Sequence, residues 1–269
     1  MRSLWAIAKI TFLEGLRSKL FFGLFVIALL LFSSTYILSY LFPFDVVKVA
    51  ADLSLGTASF VGFILTLFLG TQLIAKDLEK RTIQMVLARA VSRPQYVVGK
   101  FMGIAIIIVS SMVLLSGFAC LSVWTVDLLT PDRYGNVFWP VFVLSLSMMT
   151  LMLILLASVI FLFSSFASSS FLALGLTLVV YLIGQSIEQL KQFLESGAEG
   201  ITISPVFLNV VRVAYYAFPN LAVFDFKTQA AHGLAVPLSA ITWSLLYGIF
   251  YIGVMITMSA WIFRRREFP

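Results

Sequence analysis

Residues 76–100, KDLEKRTIQMVLARAVSRPQYVVGK, lie between two long apolar runs and carry six of the chain's 18 lysines and arginines. Lys76, Lys80, Arg81, Arg89, Arg93 and Lys100 stand against Asp77 and Glu79 alone. Each such charge costs about 2.5 to 3.5 kcal/mol at the centre of a hydrocarbon layer. The stretch therefore belongs in water, and the runs on either side of it belong in a membrane. Ile83, Val86, Leu87 and Ala90 recur at i, i+3, i+4 and i+7, the spacing that gathers apolar side chains on one face of a helix. Thr82 can cap that helix, and Ser92-Arg93-Pro94 can end it, because proline disfavours helical geometry in the residue before it. The chain then re-enters the membrane over Tyr96 to Lys100. Two readings stay open: a basic loop that only sets topology, or an amphipathic helix on which a cytoplasmic partner docks.

Outside this stretch, composition gives the same answer. With 61% hydrophobic and 11% charged residues and a mean hydropathy of +1.05, the chain has too little polar surface to cover a soluble globule. A crossing helix needs about 20 apolar residues, and the expected spans are 20–42, 53–75, 101–126, 137–163, 170–187 and 238–262. Their apolar runs continue without the two-residue alternation of a membrane barrel. The expectation is an all-α polytopic membrane protein, one transmembrane domain over 1–269 with six spans and the cell inner (plasma) membrane as its location. The first run, from Leu20, is longer than a signal-peptide core and has no small-residue cleavage pattern after it, so it is read as retained.

Charge sets the orientation. With six spans, the N-terminal segment, residues 76–100 and the C-terminus share a side that holds 13 of the 18 lysines and arginines. The other side has Lys48, Arg133, Lys191, Arg212 and Lys227. The positive-inside rule makes the richer side, with both termini, cytoplasmic. The net charge of +6 thus reports topology, and no nucleic-acid partner is expected.

Residues 1–19 group Leu4, Ile7, Ala8 and Phe12 at helical spacing among Arg2, Lys9, Arg17 and Lys19. They read as an interfacial helix or as a plain topogenic leader. Residues 163–170, FSSFASSS, form a short uncharged cytoplasmic connection whose small residues permit close helix approach. The long connection 188–237 is external and is punctuated by Pro205, Pro219 and Pro237. It is expected to continue span five, form an amphipathic helix near 205–217 and return irregularly through Asn220 to Phe226, with no seventh span.

Chemistry is sparse. No G-x-x-x-x-G-K-[ST], H-E-x-x-H or G-x-S-x-G occurs, so no phosphate loop, zinc site or nucleophile elbow is expected. Cys120 and His232 are each the sole residue of their type and make no metal cluster. No cofactor is expected in this chain, which is read as no enzyme. Thr177, Tyr181, Gln185 and Glu188 form one stripe on span five, candidate lining for a pathway or hydrogen-bonding glue between helices near the external interface, the reading that polar stripes more commonly bear out. Ser33, Ser34 and Thr35, and Thr71 with Gln72, allow the same two readings. Trp243 reads as an interfacial belt residue, and Tyr247 and Tyr251 as packing.

These features carry a resemblance. The chain resembles the membrane subunit of an ABC transporter of the type-2 exporter class, across most of its length. The most specific match is an acidic stretch, Asp77 and Glu79, followed by Arg81-Thr82, Met85-Val86-Leu87, Ala90-Val91-Ser92-Arg93, Tyr96 and Gly99-Lys100. Arg81 stands where glycine is common, and Gln84 where a small or hydrophobic residue is usual. Phe218-Pro219-Asn220-Leu221 and Phe224-Asp225 are similar to the family more weakly. The resemblance implies that 76–100 holds the coupling helix, with Glu79, Arg81, Thr82, Met85, Val86, Leu87, Val91, Ser92 and Arg93 docking a separate ATP-binding subunit. It also implies a second permease copy or a paralogue, ATP and Mg in the partner, and alternating access. An ion-driven secondary transporter and a membrane scaffold that recruits a cytoplasmic protein are the competing readings, and the cargo is not legible.

Overall fold

The computed structural model describes residues 2–41, 45–79, 92–129, 137–167, 169–195 and 205–265. Its helices are α1 (Arg2–Leu16), α2 (Lys19–Tyr40), α3 (Val46–Glu79), α4 (Arg93–Leu129), α5 (Trp139–Phe166), α6 (Ser170–Glu195), α7 (Pro205–Ala217), α8 (Lys227–His232) and α9 (Leu238–Arg265). A single 3-10 turn spans Ala222–Phe224, and no strand occurs among the described residues. Six of the helices, α2 to α6 and α9, are long and apolar enough to cross a membrane. The protein is an all-α polytopic membrane protein. The 13 residues of α7 reach only about 20 Å, short of a crossing.

Several serines and threonines inside the spans bond back to their own helix. Ser33 and Thr35 donate to the carbonyls of Leu29 and Leu31, and Ser39 donates to Thr35. Thr71 donates to Leu67 at 2.6 Å. Each hydroxyl is satisfied by its own helix, which removes the cost of an unpaired polar group in hydrocarbon. Ser33, Thr35 and Thr71 therefore serve the helix that carries them, whereas Ser54 of α3 lies 2.8 Å from Ser122 of α4 and joins the two helices.

Two helices run longer than their apolar segments. Hydropathy starts the second span at residue 53, but α3 starts at Val46 and buries Val46, Val47, Ala50 and Ala51. Lys48 and Asp45 pair at 3.0 Å near its start. Hydropathy marks where hydrocarbon ends, whereas backbone hydrogen bonding carries the helix on into the interface. Similarly α4 begins at Arg93, where the sequence suggests a turn up to Tyr96. Ser92 Oγ accepts from the Gln95 N–H at 3.4 Å, and Gln95 Oε1 accepts from the Ser92 N–H at 3.1 Å. This reciprocal cap starts a helix, and Pro94 fits the first turn, where a missing N–H costs nothing.

At the centre is α5. It carries no charge and is apolar nearly all round, the pattern of a fully surrounded helix. It packs against α3, α4, α6 and α9. Ser165 Oγ lies 2.6 Å from Ser259 Oγ, and Ser259 also donates to the Phe161 carbonyl. The small residues of the 163–170 connection thus join α5 to α9, in addition to any approach of α5 and α6.

The N-terminal helix is fastened by close approach. Its predicted apolar face, with Ala8 fully buried, lies against α4 over Gly99 and Gly103. A Cβ on Gly103 would stand 2.6 Å from Thr11 Cβ and 2.8 Å from the Ala8 carbonyl oxygen, nearer than side chains can come, so only glycine permits the contact. Gly103→Leu is expected to lift α1 from α4, overpacking of this kind costing about 1–3 kcal/mol. With Cys120 replaced by serine and a cysteine placed at Ala8, maleimide labelling checks this: protected in the parent, reactive in the Gly103→Leu variant.

Candidate functional site

One end of the bundle gathers the basic segments. Lys100, only 6% exposed, donates from Nζ to the Leu73 carbonyl at 2.9 Å and lies 3.9 Å from a Glu14 carboxylate oxygen. It ties α1, α3 and α4 together at one level, its charge answered by a carbonyl dipole and an acid. Beyond that level, Glu79 closes α3 six residues after Leu73, and Arg93 opens α4 seven residues before Lys100. At 1.5 Å per residue each helix runs on for about 10 Å. The C-terminal end of α9 joins them: Arg93 Nη1 donates to the Arg264 carbonyl at 3.1 Å, and Tyr96 stacks on Phe263 with ring centres 6.0 Å apart.

Of the predicted docking residues, Ser92 caps α4 and Arg93 bridges to α9. Glu79 ends α3. Arg81, Thr82, Met85, Val86, Leu87 and Val91, with the helix expected around them, lie outside the described residues.

Along α6 (Ser170–Glu195), running towards the opposite end, the polar stripe is brought against the rest of the chain. Thr177 is fully buried and donates to the Ala173 carbonyl. Tyr181 stacks on Phe63 of α3 with centres 3.9 Å apart, and Gln185 Nε2 lies 3.2 Å from the Met152 sulfur on α5. Glu188 accepts from Asn220 Nδ2 at 2.8 Å and from Gln192 Nε2 at 3.3 Å.

Asn220 is the residue that periodicity missed. Its N–H donates to the Tyr247 hydroxyl at 2.7 Å, its side-chain amide donates to Glu188, and its Oδ1 accepts from the Ala222 N–H at 3.1 Å. The Leu221 N–H donates to the Gly184 carbonyl, and Ser244 donates to the Val223 carbonyl. The return segment is thereby pinned between α6 and α9. Gly184 makes this possible, since a Cβ there would stand 2.6 Å from the Pro219 carbonyl oxygen. The signal in the sequence was an amide side chain after a proline in a segment without regular structure, where backbone groups must find side-chain partners. On α9, Tyr247 and Tyr251 pack with centres 4.6 Å apart, while Trp243, in the second turn, is exposed.

Against known families, the one described as ABC-2 family transporter protein matches residues 5–268. The chain belongs to this family. It is a membrane permease subunit of an ABC transporter, a membrane component and not the ATPase, and this accounts for six spans without a phosphate-binding loop. No curated protein matches the chain. The permease's family pairs its members with an ABC ATPase subunit, and the basic end of the bundle is the candidate surface for it.

Proposed function

We propose that this permease is the membrane half of an ATP-driven exporter that works by alternating access. A separate ATP-binding subunit, which supplies the ATP and Mg chemistry, seats on residues 76–100. Glu79, Arg81, Thr82, Met85, Val86, Leu87, Val91, Ser92 and Arg93 form the docking set. Two copies, or one copy and a paralogue, enclose the path. The basic end faces the cytoplasm, with both termini there, and the membrane is the inner (plasma) membrane.

One observation carries the reading. The N-terminal helix, the ends of α3 and α4 that border residues 80–91, and the end of α9 meet at one end of the bundle through Lys100, Arg93 and Tyr96. By sequence, the segments on that side, the N-terminal stretch, residues 76–100 and the C-terminus, carry 13 of the 18 basic residues, which favours the cytoplasmic side. A push on the docked segment would be delivered to four helices at once, α1, α3, α4 and α9, as a rigid-body shift requires. For the secondary-transporter reading, the candidate ionisable group in the spans is Glu188, and it is already engaged by Asn220 and Gln192. The stripe that it ends is best read as a seam between α6 and the core.

Purification of the tagged permease in mild detergent, followed by ATP hydrolysis measurements, tests the proposal. A nucleotide-hydrolysing subunit is expected to copurify, with turnover that depends on both chains. Turnover by that subunit unchanged on adding permease, together with transport in its absence, would overturn it.

A further inference from the structure

Where α1 gives way to α2, a partly open cavity of about 670 Å³ lies against the end of α3. Its volume falls in the range of about 300–1,000 Å³ typical of small-molecule sites. Its depth follows from α2, which at 22 residues is about 33 Å long and must use its whole length to cross. Lys19, its first residue, therefore stands at the headgroup level.

The lining divides in two. Ile10, Leu13 and Leu20 give an apolar wall, while Arg17, Lys19 and Gln72 give a polar one. Glu14 also reaches the cavity, but its carboxylate faces Lys100 at 3.9 Å. Among the described residues, neither Arg17 nor Lys19 has an acidic partner. Two unanswered cations beside an apolar wall at headgroup depth match one chemistry: an anion carried on a hydrocarbon chain.

We infer that this cavity binds an anionic phospholipid, its phosphodiester on Arg17 and Lys19 and an acyl chain along Leu13 and Leu20. The lipid would bridge α1 to α3 beside the Lys100 contact. This goes beyond the transport reading and rests only on the basic end facing the leaflet that holds anionic lipid.

Native mass spectrometry of the full-length permease, exposed to equal amounts of phosphatidylglycerol and phosphatidylcholine of the same chain length, tests it. The wild type is expected to retain phosphatidylglycerol roughly tenfold over phosphatidylcholine. The double variant Arg17→Gln/Lys19→Gln should lose that preference. Gln72→Trp, which pushes a bulky ring into the cavity without changing charge, should reduce it too, while Lys9→Gln, which removes a cation elsewhere on α1, should keep it. The Gln72→Trp and Lys9→Gln pair separates a built site from general attraction between a basic protein and acidic lipid. An unchanged preference in either cavity variant overturns the proposal. So does displacement of the lipid by excess inorganic phosphate, which would mark a site for free anions.

Discussion

Replacing Leu87 by aspartate is expected to weaken association of the permease with its ATPase subunit by two to three orders of magnitude, with the six-span bundle intact. The spacing of Ile83, Val86, Leu87 and Ala90 predicts an apolar face, and in the proposed docking that face is what a partner's groove would desolvate. A carboxylate placed there enters the interface unpaired, and an uncompensated buried charge costs about 3–5 kcal/mol. Each 1.4 kcal/mol is about tenfold in affinity. Leu87→Asn, with the same shape and no charge, should fall between wild type and Leu87→Asp, and Leu87→Met should bind normally. Fluorescence-detected size exclusion shows whether the bundle holds, and copurification with ATP turnover reads the coupling. If Leu87→Asp copurifies and stimulates turnover as the wild type does, the docking surface is elsewhere.

The reason to expect an intact bundle is architectural. Lys100, Tyr96 and Arg93 secure the bases of α3, α4 and α9 to one another, and these contacts lie outside residues 80–91. The segment proposed to dock can therefore fail without taking the spans with it.

How far the sequence could be read depended on what kind of force each feature obeys. Six spans were visible because transfer of 20 apolar residues into hydrocarbon dominates every local preference. Where α3 and α4 begin was not, since those boundaries depend on backbone hydrogen bonding and on the Ser92–Gln95 cap, terms too small to show in a hydropathy window. The central place of α5 was legible in principle from its uncharged circumference, but which neighbours its serines would meet depends on three-dimensional packing. The pairing of Ser165 with Ser259 joins residues 94 apart in the chain. The stripe from Thr177 to Glu188 was found by periodicity; its partners were not, because Phe63, Met152 and Asn220 come from three separate segments.

Exchanging the polarity of the Asn220–Glu188 bond should give the second large effect. Asn220→Asp is expected to destabilise this end of the bundle severely, by about 4 kcal/mol, because two carboxylates would then face each other across the present 2.8 Å contact. Like charges about 4 Å apart at an effective dielectric of 20 repel with roughly that energy. Glu188→Gln alone should cost less, about 1–2 kcal/mol, since an amide oxygen can still accept from Asn220 and only the charge assistance is lost. Combined, the two substitutions place an amide donor on α6 opposite an acceptor in the return segment, while the introduced carboxylate can still accept from the Ala222 N–H as Asn220 Oδ1 does. The double variant should therefore be more stable than Asn220→Asp alone by about 2 kcal/mol or more, a non-additivity that direct contact produces and distant sites do not. Thermal unfolding of the purified proteins, followed by loss of the monodisperse peak, measures all four corners of the cycle. Simple addition of the two single effects would mean that Asn220 and Glu188 do not share a bond in the membrane, and that α6 and α9 are held by Tyr247 and the Leu221 contact to Gly184 instead.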